Sequence, residues 1–161
     1  MGYERNKIVL LQSVLMLSFW GSKLESYWNP STWVGFAVTL AASLGIHRTA
    51  SLARMDASGR SLLRRLWWTV VVRDASCATL LGRPFRIRMS HCDSDMLTLE
   101  DFRNELFTSR PDTREGAYKV QALYQIHVSK LSLILRQIIQ FQSTENNDRS
   151  KMSELHGLLT D

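Results

Sequence analysis

Residues 58–82 read SGRSLLRRLWWTVVVRDASCATLLG, and this stretch predicts a helix that starts near Ser58 and runs to about Leu81. Its apolar side chains recur every three or four residues, which is the spacing that places them on one face of an α-helix. The predicted inward stripe comprises Leu63, Leu66, Trp67, Val70, Cys77 and Leu81. Gly82 is well suited to end the helix in a left-handed conformation. One charged residue, Asp74, falls within the apolar stripe.

Two further helices are predicted on the N-terminal side of this segment. Residues 4–19 are apolar nearly all round, so we expect a central rather than a surface helix. The next helix has a good N-cap in Asn29, a proline at its first position in Pro30, and Gly45 at its end. These signals predict a helix that begins at Pro30 and ends at Gly45.

The C-terminal half of the chain has comparable signals. Thr98 and Asp101 have the spacing of a capping box and predict a short helix through Phe107. Asp112 indicates the start of a long helix, one face of which carries Val120, Leu123, His127, Leu131, Ile134, Ile138 and Phe141. Residues 143–152 are polar and predict a linker before a short terminal helix.

The fold class predicted from these patterns is all-α, an irregular bundle of about five to six helices in a single domain over residues 1–161. We expect Trp33, Trp67 and Leu131 to share one core. Hydrophobic residues make up 45% of the 161 residues, which excludes disorder throughout the chain. With 8 Gly and 3 Pro, the chain has too few turn residues for a many-stranded sandwich.

Catalytic and metal-binding motifs are missing from the sequence. It contains no Gly-X-Ser-X-Gly elbow, no phosphate-binding glycine pattern and no His-Glu-X-X-His pattern. The 2 cysteines, Cys77 and Cys92, are too few for a cysteine-based zinc module. Residues 91–95 hold four potential ligands but fit a solvated loop better, and His127 on its apolar stripe fits a core position. We therefore predict no enzyme activity, no cofactor and no structural metal.

Asp74 is predicted to be a buried, ionised carboxylate, because it interrupts an apolar stripe and an unpaired buried charge is costly. Arg48 and Arg83 are the preferred candidates for its partner. The predicted role of this ion pair is structural.

The segment from Arg48 to Arg88 is strongly basic, with nine arginines against two aspartates. Possible contacts with a polyanion are Arg60, Arg64, Arg65, Arg86 and Arg88. A direct nucleic-acid-binding function through this segment is therefore one alternative. The other interpretation is internal, with arginines stacked on neighbouring tryptophans or neutralising Asp74.

Several short motifs occur in a fixed order. Residues 44–48 read LGIHR, residues 64–68 RRLWW, residues 73–74 RD, residues 82–84 GRP, and residues 95–102 DMLTLEDF. This order and spacing closely resembles the fungal-specific transcription factor domain, the middle homology region of fungal regulators that carry a zinc binuclear cluster. The ending at residues 96–102 is most similar to the branch typified by cutinase transcription factors.

The resemblance implies an all-helical regulatory module, a nuclear location and a role in transcription control, such as governing a metabolic or secondary-metabolite gene cluster in a fungus. Implied partners are proteins of the transcription machinery or a related regulator, with a small-molecule effector of unknown identity. The six-cysteine zinc cluster is missing, so sequence-specific DNA binding by this chain alone is not expected. The chain resembles a truncated relative or a fragment of a larger domain, which would leave an apolar face uncovered.

A third interpretation comes from the N-terminus. Residues 8–20 form an apolar stretch of 13 residues behind two basic residues, which has the length of a signal-peptide core. Polar interruptions at Gln12, Ser13 and Ser18 favour a buried helix instead. A secreted or membrane-associated helical protein is therefore the least favoured of the three functions.

Overall fold

Five α-helices and two short 3-10 turns make up the regular structure in the part of the chain that the computed structural model describes, residues 6–20, 27–53, 55–103 and 115–160. The helices are α1 (Lys7–Leu17), α2 (Pro30–Leu44), α3 (Thr49–Leu52), α4 (Ala57–Leu81) and α5 (Glu115–Thr160), and the 3-10 turns are Met89–His91 and Leu99–Phe102. None of these ranges contains a β-strand, so the prediction of an all-α fold is confirmed.

The ends of α2 and α4 lie where their capping residues predict them. The Asn29 side chain accepts a hydrogen bond of 3.2 Å from the Thr32 backbone N–H, which satisfies one of the free donors of the first turn. At the other end of α2, Gly45 has a φ of 69°, and Gly82 after α4 has a φ of 58°. Both angles lie in the left-handed region, which favours glycine because it has no Cβ.

One hydrophobic core joins the helices, with α4 at its centre. Helix α2 packs against both α1 and α4, and α5 packs against α4. Trp67, Trp68, Val70 and Val71 of α4 are each no more than 3% exposed. Ala37 and Ala41 of α2 are fully buried, and such small side chains let helices approach closely. Other buried members of the core are Leu11, Val14, Leu15, Ile46, Leu52, Leu63, Ile87, Leu97, Phe102, Ala122 and Ile126.

Helix α1 is not the central helix that its composition predicts. Leu11, Val14 and Leu15 are buried, but Val9 and Met16 on its other sides are exposed. None of the helices in the described ranges combines the length and the apolar character that crossing a membrane requires.

The face of α5 that contacts the core is opposite to the predicted face. Leu131 is 60% exposed and His127 is also exposed, so the predictions that both lie in the core are wrong. The buried face instead carries Ala122, Ser129 and Arg136, which are spaced seven residues apart. Small side chains allow α5 to approach α4 closely, and Arg136 finds a buried carboxylate there.

The predicted linker at residues 143–152 also differs from the structure, in which α5 continues through it as far as Thr160. Polar composition alone does not end a helix, and this segment contains neither proline nor glycine to break one. The capping box at Thr98 opens the turn Leu99–Phe102. The remainder of that predicted helix, to Phe107, and the N-terminal signal at Asp112 lie outside the described residues.

Candidate functional site

Asp74 is the centre of a buried polar cluster where α4, α5 and the 82–103 segment that follows α4 meet. Its side chain is 3% exposed, and its two carboxylate oxygens accept hydrogen bonds of 3.1 Å from the backbone N–H groups of Arg86 and Ile87. The Arg136 guanidinium donates to the same carboxylate at 2.5 Å. These three donors replace the water that the buried charge loses.

Arg136 connects the same three elements from the side of α5. Its guanidinium donates to the Ile87 carbonyl at 3.1 Å and to the Val71 carbonyl at 3.4 Å. It also lies 4.5 Å from the centre of the Phe85 ring, a cation–π distance. The ion pair of Arg136 with Asp74 therefore fixes the 82–103 segment and α5 to α4.

The two arginines predicted as partners of Asp74 lie elsewhere. Arg48 is exposed and lies 3.7 Å from Asp93, and Arg83 is exposed at the end of α4. Sequence reasoning missed Arg136, which is 62 positions away from Asp74. The available signal was an arginine that lies between apolar residues at 133–135 and 138–139, on the face of α5 opposite to the apolar stripe.

A second buried carboxylate, Asp101, anchors the far end of the 82–103 segment. It is 4% exposed, and it accepts hydrogen bonds from Arg64 at 2.8 Å and from the Thr98 backbone N–H at 2.9 Å. Close by, the Trp68 indole N–H donates to the Asp95 carbonyl at 2.8 Å. The segment is thus held to α4 at both of its ends.

Of the five arginines considered for polyanion binding, Arg64 and Arg65 are half-buried, and the other three are exposed. Arg64 pairs with Asp101, and Arg65 lies 5.3 Å from the centre of the Phe102 ring. The Arg86 side chain packs over Gly35 and donates to the Ser31 hydroxyl at 3.4 Å. Arg60 lies beside the Met55 carbonyl and Arg88 at the edge of a cleft. The internal interpretation of the basic segment therefore applies to Arg64 and Arg65.

That cleft lies between the C-terminal end of α4, the start of the 82–103 segment and α5. Its volume is about 1230 Å³, and its walls combine apolar side chains such as Phe85 and Ile139 with the exposed arginines Arg83 and Arg88. A space of this size admits a small molecule. The two guanidinium groups would suit an anionic substituent on such a molecule.

Among residues 91–95, considered as metal ligands, Asp93 holds the start of α3 and Cys92 makes a local hydrogen bond. The Asp93 carboxylate accepts a hydrogen bond of 2.8 Å from the Thr49 backbone N–H, and the Cys92 thiol donates to the Arg88 carbonyl at 3.4 Å. Within the described ranges, no three His, Cys, Asp or Glu side chains converge to hold a metal ion.

The two cysteines have raised pKa values. Burial raises the pKa of the Cys77 thiol above its ordinary value, with the Arg73 guanidinium opposing the rise. Burial likewise raises the pKa of the Cys92 thiol, against the opposing charges of Arg136 and Arg48. A raised pKa lowers the fraction of reactive thiolate, so neither thiol has the environment of a nucleophile.

The comparison with known proteins supports the resemblance in the motifs. The profile of the fungal specific transcription factor domain matches residues 1–160. The chain is 34% identical over 101 residues to cutinase transcription factor 1 alpha of Fusarium vanettenii, an alignment that covers 62% of the chain and 11% of that protein. It is 32% identical over 141 residues to the acetamidase regulatory protein of Emericella nidulans, which covers 85% of the chain and 16% of that protein.

A further relative is the transcription factor cpaR of Aspergillus oryzae, which is 28% identical over 154 residues, or 89% of the chain and 25% of that protein. The chain therefore spans a quarter or less of the length of these three relatives. No solved structure is significantly similar to it.

Proposed function

The chain belongs to the family of the fungal specific transcription factor domain, and we propose that it acts as a regulatory, non-catalytic helical domain in transcription control. The observation that carries this proposal is the match of the family profile over residues 1–160, together with relatives that are transcription factors and regulatory proteins. Location in the nucleus is part of the same proposal.

The architecture supports a role that depends on binding rather than on chemistry. The carboxylates of Asp74 and Asp101 hold the 82–103 segment and α5 onto α4. These contacts stabilise a domain whose helices share one core. The apolar face of α5 and the cleft lined by Arg83 and Arg88 lie on the surface of this domain. Both features are suited to contacts with another molecule.

The proposed partners are proteins of the transcription machinery or a related regulator. The cleft offers a place for a small-molecule effector, whose apolar part would meet Phe85 and whose anionic part would meet the two arginines. The gene targets proposed for the domain are those of a metabolic or secondary-metabolite cluster in a fungus.

A reporter assay tests the regulatory function. Residues 1–161 are fused to an unrelated DNA-binding module and expressed in a fungal cell that carries a reporter with the matching binding site. We expect reporter transcription to rise or fall relative to the module alone. The double variant Asp74→Ala/Arg136→Ala removes the buried ion pair and should abolish the change in reporter transcription. The surface variant Glu100→Gln should preserve that change. A stable, nuclear fusion that leaves transcription unchanged would contradict the proposal.

A further inference from the structure

Two residues from separate sequence motifs, His47 of residues 44–48 and Trp67 of residues 64–68, lie side by side in the structure. The centres of their rings are 6.0 Å apart. Both residues line a pocket between α2, α4 and residues 86–92, which we call the α2–α4 pocket. Its volume is about 280 Å³, and its wall includes Val38, Ala42, His47, Trp67, Arg86 and Arg88.

The Trp67 indole N–H and the Nδ1 atom of His47 are both buried, and neither has a hydrogen-bond partner among the described residues. Trp67 as a whole is 3% exposed. Burying an N–H group without a partner is unfavourable, so the few such groups in a folded protein need an explanation. The next residue, Trp68, has the usual arrangement, because its indole N–H donates to the Asp95 carbonyl at 2.8 Å. This contrast indicates that the Trp67 N–H is available to a bound molecule.

The charged part of the α2–α4 pocket is positive. Arg88 lines it, and no carboxylate in the described ranges forms an ion pair with the Arg88 guanidinium. Arg86 also lines it, but its guanidinium donates to the Ser31 hydroxyl at 3.4 Å. None of the described lining residues is an aspartate or a glutamate, and the carboxylate of nearby Asp93 already accepts from the Thr49 backbone N–H. A pocket with an unpaired cation and no acid in its wall favours an anion.

The rest of the wall is apolar. Val38 and Ala42 of α2 and Ile87 contribute hydrocarbon surface to it. A ligand that fills the pocket therefore needs an apolar part beside its charged group. The volume of about 280 Å³ lies near the lower end of the range of about 300–1,000 Å³ that is typical of small-molecule sites, so the ligand is small.

We propose that the α2–α4 pocket binds a small organic carboxylate. Its two oxygens accept hydrogen bonds from the Trp67 indole N–H and the Arg88 guanidinium, and the tautomer of His47 that carries a proton on Nδ1 donates a third. Bonds between a guanidinium and a carboxylate are among the stronger hydrogen bonds in proteins. The hydrocarbon part of the ligand contacts Val38 and Ala42.

The α2–α4 pocket is a different site from the cleft at the end of α4. Arg88 lines both spaces, whereas His47 and Trp67 line the pocket and are not part of the cleft wall. The proposal therefore goes beyond the proposed regulatory function and does not depend on it.

A carboxylate fits this pocket better than a phosphate group. A phosphate group carries about 1.5 to 2 negative charges at pH 7, whereas the pocket offers one unpaired guanidinium. Excess charge against Val38 and Ala42 would be unfavourable, because apolar walls cannot replace the water that the anion loses. A carboxylate has one charge, two acceptor oxygens and a hydrocarbon group that matches these walls.

NMR spectroscopy of the full chain labelled with ¹⁵N tests the site directly, because each of the 5 tryptophans gives one indole N–H signal. The probe is benzoate, and the signal of Trp67 is identified by its loss in Trp67→Phe. We expect this signal to shift on titration with a Kd on the order of 1 mM at about 150 mM salt. Benzamide has the same ring without the charge and should bind at least about tenfold more weakly. Inorganic phosphate should leave the signal in place.

Two variants remove the proposed donors. Trp67→Phe removes the indole N–H and keeps an aromatic ring in the core, and Arg88→Gln removes the charge at an exposed position. Each should weaken benzoate binding by about tenfold or more, as measured from the NMR signals of benzoate itself. The matched controls are Trp68→Phe, whose lost N–H is already bonded to Asp95, and Arg83→Gln, which removes a charge from the cleft. Both controls should keep the wild-type affinity, and circular dichroism should show that all four variants are folded.

A Trp67 signal that does not move at about 10 mM benzoate, tenfold above the expected Kd, would overturn the proposal. Equal binding of benzamide or of phosphate would also overturn it, since the pocket would then not select a carboxylate. A loss of affinity in Arg83→Gln as large as that in Arg88→Gln would place benzoate in the cleft instead. If Trp67→Phe does not fold, the shift in the wild-type chain and the comparison of Arg88→Gln with Arg83→Gln still decide the question. The reporter assay measures transcription without added carboxylate, so failure of this site and failure of the regulatory function are distinguishable.

Discussion

Arg136 and Asp74 are 62 positions apart in the sequence, and in the folded protein their charged groups are 2.5 Å apart with both side chains 3% exposed. This contact explains why α5 presents the face that carries Ser129 and Arg136 to the core. A buried carboxylate on α4 is costly unless a cation reaches it, and the position that supplies the cation fixes the rotation of α5. The apolar stripe of the helix is consequently turned to the outside.

Removing either member of this pair should destabilise the fold severely. We expect Asp74→Ala and Arg136→Ala each to lower the free energy of unfolding by about 3–5 kcal/mol, because each leaves an uncompensated buried charge. The double variant should lose less than the sum of the two. Urea unfolding followed by circular dichroism measures these values.

The control for this pair is Arg103→Ala, which removes an exposed partner of Glu100 and should change stability by no more than about 1 kcal/mol. A change of less than about 0.5 kcal/mol in Asp74→Ala would contradict the structural role assigned to the pair.

The sequence predicts the helices better than it predicts their rotation. The ends of α2 and α4 depend on local signals, namely Asn29, Gly45 and Gly82, and these residues cap the helices as expected. The rotation of α5 depends on the long-range contact of Arg136 with Asp74. A period of 3.5 residues identifies an apolar face but does not say whether that face contacts its own domain or another molecule.

The same distinction separates the predicted and the missed parts of the candidate site. Asp74 stands out in the sequence because a charge within an apolar stripe needs a partner. Its donors come from Arg136 and from the backbone of Arg86 and Ile87, which no spacing rule connects to it. The role of Asp101 was visible only as a capping signal, whereas the structure adds its contact with Arg64.

Neighbouring acids in the turn Leu99–Phe102 should respond very differently to loss of charge. Asp101→Asn should lower the free energy of unfolding by about 1.5–3 kcal/mol, because the buried carboxylate accepts charge-assisted bonds from Arg64 and from the Thr98 backbone N–H. Glu100→Gln removes a charge that is 74% exposed and should have an effect within about 0.5 kcal/mol. Denaturant midpoints of the two variants provide the comparison. Equal effects would show that Asp101 does not hold the 82–103 segment.

The two left-handed glycines should differ in their tolerance of a side chain. Gly82→Ala should cost about 1–2 kcal/mol for the backbone conformation alone, since a Cβ there meets nothing within 4 Å. Gly45→Ala should cost more, because its Cβ would lie 2.7 Å from the Ser51 hydroxyl oxygen.

Thermal unfolding of these variants, with Gly45→Ala also placed in a Ser51→Ala background, separates the two causes. The second substitution should recover part of the extra loss, as it removes the closest atom. A Gly45→Ala variant as stable as wild type would mean that α2 does not end in this conformation.

Cys92 should react slowly with thiol reagents in the folded protein. Burial raises the pKa of its thiol, so at any pH below that value a smaller fraction is thiolate than in the unfolded chain. In the Cys77→Ala variant at about pH 7.5, Cys92 should react with a chromogenic disulfide more slowly in the folded protein than in the urea-unfolded protein. The rate in the folded protein should also keep rising with pH above the ordinary cysteine pKa of about 8.5. Equal rates in the folded and unfolded protein would contradict this assignment.

Purified chain should bind DNA weakly and without sequence preference. Specific readout needs a rigid element that presents several side chains to base edges in a groove. Helix α4 carries four of the nine arginines of the basic segment, but Trp67 and Trp68 are buried in the core and Arg64 is paired with Asp101. The exposed arginines at the cleft, Arg83 and Arg88, are left to meet phosphates, and such contacts weaken steeply as salt rises.

A mobility-shift titration at about 150 mM salt, where charges are screened beyond about 8 Å, tests this expectation. We expect a scrambled duplex to compete as well as any chosen duplex, and Arg83→Ala/Arg88→Ala to weaken what binding remains. Arg103→Ala removes the same charge from an exposed site on another part of the surface and serves as the control. A preference of tenfold or more for one duplex, about 1.4 kcal/mol, would instead support the nucleic-acid-binding alternative. It would require a base-reading surface outside the buried face of α4, because exposing two indoles to enter a groove would dismantle the core that holds the arginines in place.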